Sequence, residues 1–294
     1  MSDGGVSERG SVRHWQALHF ANPRELLALG QAAEALGFTG IALGDHLLLP
    51  AEWQSPYPYT PDGKVAMSPH VDFPDPWVSF AALAMHTRQL KFTTWVYILP
   101  LRDVFTVAKS VATLDRLAPG RTVFGIGVGW LAEEFRASGL EFTRRGRRTD
   151  EMLQALALLW TGGPSTFHGE HLDFHDVYLR PVPEQSIPIC IGGHSSAALG
   201  RAAAHDGWFA LSVAPADFVL QLREVQERRK SLGRDGRPFT VMTMVGPEAD
   251  HAECEEFARL GVTDIVFQPP MSGDLPEKIA ALRRTMAGHS SASG

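Results

Sequence analysis

LKFTTWVYILPLRDVFTVAKSVATLDRLAPGRTVFGIG, residues 90–127, switches from a strand-like run (90–99) to a helical pattern (104–117) and back to a strand-like run (122–127). One strand, one helix and a second strand in that order make a β-α-β unit, whose two strands pair in parallel through a right-handed crossover. The same alternation extends in both directions. Strand-like runs are predicted at 12–20, 39–44, 90–99, 122–127, 187–191, 207–212, 239–245 and 263–268. Helical patterns fall between and after them at 23–36, 76–86, 104–117, 149–160, 196–204, 216–231, 249–260 and 275–284.

Several boundaries have a local mechanism. Asn22-Pro23 offers an N-cap with proline in the first helical turn, and Leu36-Gly37 offers a glycine C-cap, an ending repeated at Leu232-Gly233 and Leu260-Gly261. Eight β/α units suffice to close a (β/α)8 barrel of the TIM type, an α/β fold whose competitor is an open doubly wound sheet. At 294 residues the chain fits one such domain, expected over 12–286, with loose ends at 1–11 and 287–294.

A formal net charge of −6 and the lack of a Lys/Arg run argue against nucleic-acid binding. The densest basic stretch, Arg144, Arg145, Arg147 and Arg148, leads straight into Asp150 and Glu151, which reads as a solvated helix start with internal ion pairs. Cys190 and Cys254 are far apart and belong to no CxxC motif. With no apolar run near the ~20 residues of a membrane span and no signal-peptide core at the start, the expectation is a cytoplasmic protein without membrane partners.

Two connections, 47–75 and 161–186, are too long for simple turns and are rich in proline, histidine and aromatic residues. The first leaves a C-terminal strand end, where barrel active sites form, so its Trp53, Tyr57 and Tyr59 are candidate substrate contacts for an apolar or aromatic ligand. Asp45-His46 stands at the same strand end. Strand alternation turns one side chain to the mouth while the other orients the loop. A histidine there can move a proton or hydrogen-bond a ring, or it can simply satisfy loop backbone.

Three further segments end strands. Gly125-Ile126-Gly127-Val128-Gly129-Trp130 allows close backbone approach, but Trp130 occupies the third glycine of a dinucleotide fingerprint. Gly192-Gly193-His194-Ser195-Ser196 opens a helix whose N-terminus can take a phosphate, or it is only a serine-capped turn. Thr93-Thr94-Trp95-Val96-Tyr97 can be plain core. His168, His171 and His175 lie in an extended-looking run without other ligands nearby, so no metal site is expected, and no G-x-S-x-G elbow supports a hydrolase.

AEALGFTGIALGDHLLLP (33–50), the segment 75–130, EEF (133–135), RRTDEML (147–153), ALLWTGG (157–163), FHGEHLDF (167–174) and the segment 187–208 occur in an order that resembles the luciferase-like monooxygenase superfamily. The Asp-His pair is similar to the branch that uses coenzyme F420, a 5-deazaflavin. The resemblance implies a homodimeric oxidoreductase acting on a small molecule, with His46 beside the deazaflavin ring as the catalytic group and Asp45 next to it. It implies a non-proline cis peptide near Trp95-Val96 against the ring, with Thr94 adjacent, although Trp95 is bulkier than usual there. Gly192, Gly193, His194, Ser195 and Ser196 would hold phosphate, and Gly127, Gly129 and Trp130 would lie along the ring and chain. Some sugar-phosphate dehydrogenases of this branch carry a catalytic glutamate where Trp130 stands, which puts the same sugar in doubt here. Asp115 and Arg116 are expected as scaffold ion pairs. The alternatives are a reduced-FMN monooxygenase and a non-catalytic ligand-binding barrel.

Overall fold

The structure, a computed structural model, describes residues 12–65, 67–211, 215–269 and 272–289. Its strands are β1 (Arg13–Ala17), β2 (Gly40–Leu43), β3 (Lys91–Thr94), β4 (Tyr97–Ile98), β5 (Thr122–Gly127), β6 (Ser165–His168), β7 (Asp173–Val177), β8 (Ile189–Gly192), β9 (Gly207–Ala210), β10 (Thr240–Val245) and β11 (Asp264–Phe267). Its helices are α1 (Pro23–Ala35), α2 (Pro76–His86), α3 (Val104–Leu117), α4 (Ala132–Ala137), α5 (Arg145–Leu159), α6 (Ser196–Ala204), α7 (Pro215–Ser231), α8 (His251–Arg259) and α9 (Leu275–Ala287).

Parallel pairings run from β1 through β2, β3, β5, β8, β9, β10 and β11, and β11 pairs back onto β1. The sheet therefore closes, and the open-sheet competitor is excluded. The predicted caps are in place: Asn22 accepts a hydrogen bond from the Arg24 N–H at 3.0 Å, and Gly37 ends α1 at a φ of +88°. Among the described residues no helix is long and apolar enough to cross a membrane.

The structure departs from the pattern reading in five places. The non-proline cis peptide that the resemblance implies is present at Trp95–Val96, but the run 90–99 is not one strand: it divides there into β3 and β4. Between the pairs Thr93/Val123 and Tyr97/Ile126 it advances four residues while β5 advances three, which is a one-residue bulge. Residues 161–186 contain an antiparallel hairpin, β6–β7, rather than loop alone. A short helix, α4, follows the glycine cluster, where no element was expected. Asp115 is scaffold, but it accepts backbone N–H groups of Gly120, Glu184 and Gln185, and only Arg116 makes an ion pair, with Glu184. Finally, α9 runs through Ala287, past the helical pattern read at 275–284; residues 1–11 and 290–294, where loose ends were expected, lie outside the described ones.

The core has two layers. Between sheet and helices lie residues such as Leu29, Phe80, Phe92, Phe124, Leu156 and Phe218. Inside the barrel, Trp15, Ala17, Ala42, Trp95, Cys190, Phe209, Met242 and Val266 pack together, with Trp95 stacked on Phe209 at 4.8 Å. At the strand starts, buried Asp264 accepts two hydrogen bonds from Arg13, at 2.7 and 2.6 Å, and one from the Trp15 indole at 2.7 Å.

Closure brings β3 so near β5 that a Cβ on Gly125 would collide with the Thr94 carbonyl oxygen and the Phe209 ring. Gly125→Ala is expected to lower unfolding free energy by about 3 kcal/mol or more, since neither strand can retreat. Gly163→Ala, where a Cβ meets nothing within 4 Å, is expected within about 0.5 kcal/mol of the parent. Urea titrations of the two variants check this.

Candidate active site

The site starts where β2 ends. Gly44 donates its N–H to the His19 ring at 3.1 Å, and the chain then turns out over the strand ends. Asp45 is buried and points back into the scaffold. Its oxygens accept the Ile98 N–H at 2.9 Å and an Arg102 N–H at 2.7 Å. Burial pushes its carboxyl up to about 6, against the pull of Arg102 and the Ile98 N–H. Asp45 is thus a latch between the end of β2 and β4, with one donor on each oxygen.

His46 turns the other way, as strand alternation requires. Its Nδ1 lies 3.0 Å from Oε2 of Glu134, whose side chain is fully buried. The other oxygen of Glu134 accepts the Leu47 N–H at 2.6 Å and, more distantly, the Leu48 N–H at 3.4 Å. Among the described residues nothing hydrogen-bonds Nε2 of His46, and the ring is flanked edge-on by Phe73 at 5.0 Å and Trp130 at 6.1 Å. The contacts continue from Trp130 to Tyr57 at 5.2 Å, from Tyr57 to Tyr59 at 5.2 Å and from Tyr59 to His194 at 5.2 Å. This row of rings crosses the mouth from the end of β2 to the end of β8. Burial pushes the Tyr59 phenol up to about 12, so it stays neutral.

The strand-three candidates divide. Thr94 is buried and donates its hydroxyl to the Gly125 carbonyl at 2.6 Å, and Trp95 packs in the barrel interior against Phe209. Val96 remains partly exposed, and its methyls fill the space over Gly127 and Gly192, where a Cβ on Gly192 would stand 2.7 Å from Cγ1. Gly129, at a φ of +78°, gives way to Ile98 and Phe135. A Cβ at any of these three glycines would meet the protein's own side chains. Trp53 is half-buried and takes no part in the row of rings, where Phe73 stands instead.

At the end of β8, Ser195 caps α6 by accepting the Ala198 N–H at 3.2 Å, and the Gly193 carbonyl accepts the Trp208 indole N–H at 3.0 Å. Nδ1 of His194 meets Gln221 Oε1 at 2.8 Å, while its Nε2 is buried with no hydrogen-bond partner. Ser196 is less available than expected: its hydroxyl and carbonyl accept two N–H groups of Arg228, at 2.7 and 2.9 Å. Away from the mouth, His168 pairs with Asp173 at 2.7 Å and His175 lies by Thr166 on the hairpin. No group of three ligating side chains among the described residues is arranged to hold a metal ion.

Pattern reading missed α4 and its two glutamates, although EEF was among the family-like stretches. While Glu134 holds His46, Glu133 accepts the Gln54 and Ser55 N–H groups at 3.0 and 3.3 Å and the Ser55 hydroxyl at 2.6 Å. Burial alone would raise the Glu133 carboxyl, but the Ser55 hydroxyl and these N–H groups pull it down to about 2. The available signal was a pair of acids close after a strand end that faces a histidine and a long loop.

These features coincide with membership of a known family. Residues 6–266 match the model of the luciferase-like monooxygenase family, and the chain belongs to it. An uncharacterized protein of Mycobacterium tuberculosis is 35% identical over 242 residues, covering 82% of this chain and 83% of its own. The F420-dependent glucose-6-phosphate dehydrogenase of Gordonia bronchialis is 28% identical over 222 residues, 73% of this chain and 61% of that enzyme. The pyrimidine monooxygenase RutA of Allorhizobium ampelinum is 30% identical over 181 residues, 58% of this chain and 49% of that enzyme. The protein is therefore an oxidoreductase of the luciferase-like monooxygenase family.

Because its folded-state carboxyl lies below the ordinary range, Glu133 contributes stability that is fully present above about 4.5, declines as pH falls below that and is gone once pH has fallen through about 2. Amide exchange at Gln54 and Ser55 should therefore stay protected at about pH 4 once intrinsic rates are divided out. Glu133→Gln, which keeps shape but loses charge, is expected to raise proteolytic cleavage within 47–75 about tenfold. An unchanged cleavage rate would show that Glu133 does not tether the loop.

Proposed function

We propose that this protein is a coenzyme F420-dependent oxidoreductase whose substrate is a small, uncharged, apolar or aromatic molecule. The observation that carries this reading is His46 at the end of β2, held through Nδ1 by Glu134 with no hydrogen bond to its Nε2 among the described residues. The residues fit such a cofactor at both ends. Nε2 of His194, buried without a hydrogen-bond partner beside Gly193 and Ser195 at the start of α6, would donate to a phosphate oxygen from the protonated ring, whose Nδ1–H is given to Gln221. Val96, seated over Gly127 and Gly192, would support the ring from the barrel side.

A deazaflavin, when bound, supplies a two-electron hydride carrier that is poor at activating oxygen. The chain's own work is different. His46 takes or gives a proton at Nε2 as the substrate changes oxidation state. Phe73, Trp130, Tyr57 and Tyr59 exclude water and set an apolar boundary. The charges around His46 are already committed: Asp45 to Arg102 and Ile98, Glu134 to His46 and Leu47, Glu133 to Ser55. None is left to recognise a charged substrate, and Trp130 stands where the sugar-phosphate branch has its glutamate, so glucose 6-phosphate is not the proposed substrate.

The second reading, a reduced-FMN monooxygenase, is supported by the likeness to RutA, and the same barrel can serve it. Fluorescence titration with F420 and with FMN separates the two. F420 is expected to bind at micromolar concentration, and binding of FMN alone overturns the proposal. His46→Ala is expected to lower turnover by about 100-fold or more while cofactor affinity changes less than about threefold. An unchanged rate would remove His46 from the chemistry.

A further inference from the structure

Glu134 comes from α4, an element outside the regular β/α alternation, and reaches back to the first residues after β2. It is a fully buried acid, which costs free energy unless its oxygens find donors. The donors present are Leu47 N–H at 2.6 Å, Leu48 N–H at 3.4 Å and the His46 ring at Nδ1, 3.0 Å away. Both backbone groups can only donate, so the two bonds on Oε1 are ones that an ionised carboxylate accepts. An ionised carboxylate only accepts, so the hydrogen of its contact with His46 must sit on Nδ1. Asp45, the other acid nearby, is engaged by Ile98 and Arg102 and does not compete for the ring.

We infer that Glu134 is a positioning residue that fixes His46 in the Nδ1–H tautomer, leaving the lone pair of the neutral ring on Nε2, toward the mouth. A carboxylate behind a histidine performs this service wherever the histidine must act as a base through its far nitrogen. The bond to Leu47 holds the carboxylate in line, so the loop that leaves β2 cannot move without disturbing the tautomer. The role in turnover rests on the reading of His46 as the proton-handling group. The tautomer itself does not, and it is measured without cofactor.

Long-range proton–nitrogen spectra of ¹⁵N-histidine-labelled protein, recorded in alkaline buffer, distinguish the two neutral tautomers. The His46 signals are those lost in His46→Asn. The wild-type ring is expected to be Nδ1–H. Glu134→Gln, whose amide can keep the Leu47 bond and donate to Nδ1, is expected to invert His46 to Nε2–H, while Glu134→Asp keeps mainly Nδ1–H. In turnover Glu134→Gln is expected to lower kcat by about 100-fold or more, with KM and cofactor Kd within about threefold. An Nε2–H signal in the wild type, or an Nδ1–H signal that survives in Glu134→Gln, overturns the inference. The wild-type spectrum decides even if that variant fails to fold. Failure of F420 to bind beside an Nδ1–H signal would sink the proposed function and leave this assignment standing.

Discussion

The geometry of the mouth depends on how closely Val96 approaches two neighbouring strands. Its methyls occupy the volume that side chains at Gly127 and Gly192 would need, so one residue sets the spacing at the ends of β4, β5 and β8. From there the order passes outward by contact. Ile98, two residues on, packs against Gly129 and joins Leu101 and Phe135 in a small buried cluster. Phe135 anchors α4, and α4 presents Glu134 to His46 and Glu133 to Ser55. The protonatable group at the mouth is therefore positioned by packing that begins inside the barrel, where small volume changes are resisted.

Charge placement follows the same route. Asp45, Arg102, His46 and Glu134 form a compact group in which each carboxylate oxygen already has a donor. Buried ions are tolerated on that condition, and removing one partner is costlier than removing the pair. The two acids do different things with it. Asp45, pushed up to about 6 by burial, ties strand ends together, whereas Glu134 fixes a ring. The adjacent residues Asp45 and His46 looked like one motif in sequence and act on opposite sides of the chain.

That contrast marks what was legible in sequence. The barrel was readable because period, punctuation and caps agreed at nearly every unit, from Asn22-Pro23 to Leu260-Gly261. His46 and the helix start at Ser195 were readable because strand ends precede them. The placement of Thr94 and Trp95 was not legible because alternation within a strand says which residues share a face and not which face is interior; the bulge at Trp95–Val96 then shifts the phase. The α4 helix was missed because its six residues are too short to show a period. Glu134 lies 88 positions from His46, and such a pairing becomes visible only after closure of the barrel.

The mouth loop combines two kinds of contact with unequal strengths. At Gln54 and Ser55 it is held by an ionised glutamate through hydrogen bonds as short as 2.6 Å, and charge-assisted bonds of that kind contribute about 1.5–3 kcal/mol each. At its aromatic tip the edge-to-face contacts of Tyr57 and Tyr59 contribute only about 0.5–1.5 kcal/mol each. A flat ring entering between Trp130 and Tyr57 would replace ring contacts with ring contacts at little net cost, whereas leaving the Glu133 anchor would strip a carboxylate of its donors. The Glu133 end is therefore the stronger hold on this loop, and its aromatic tip the weaker one.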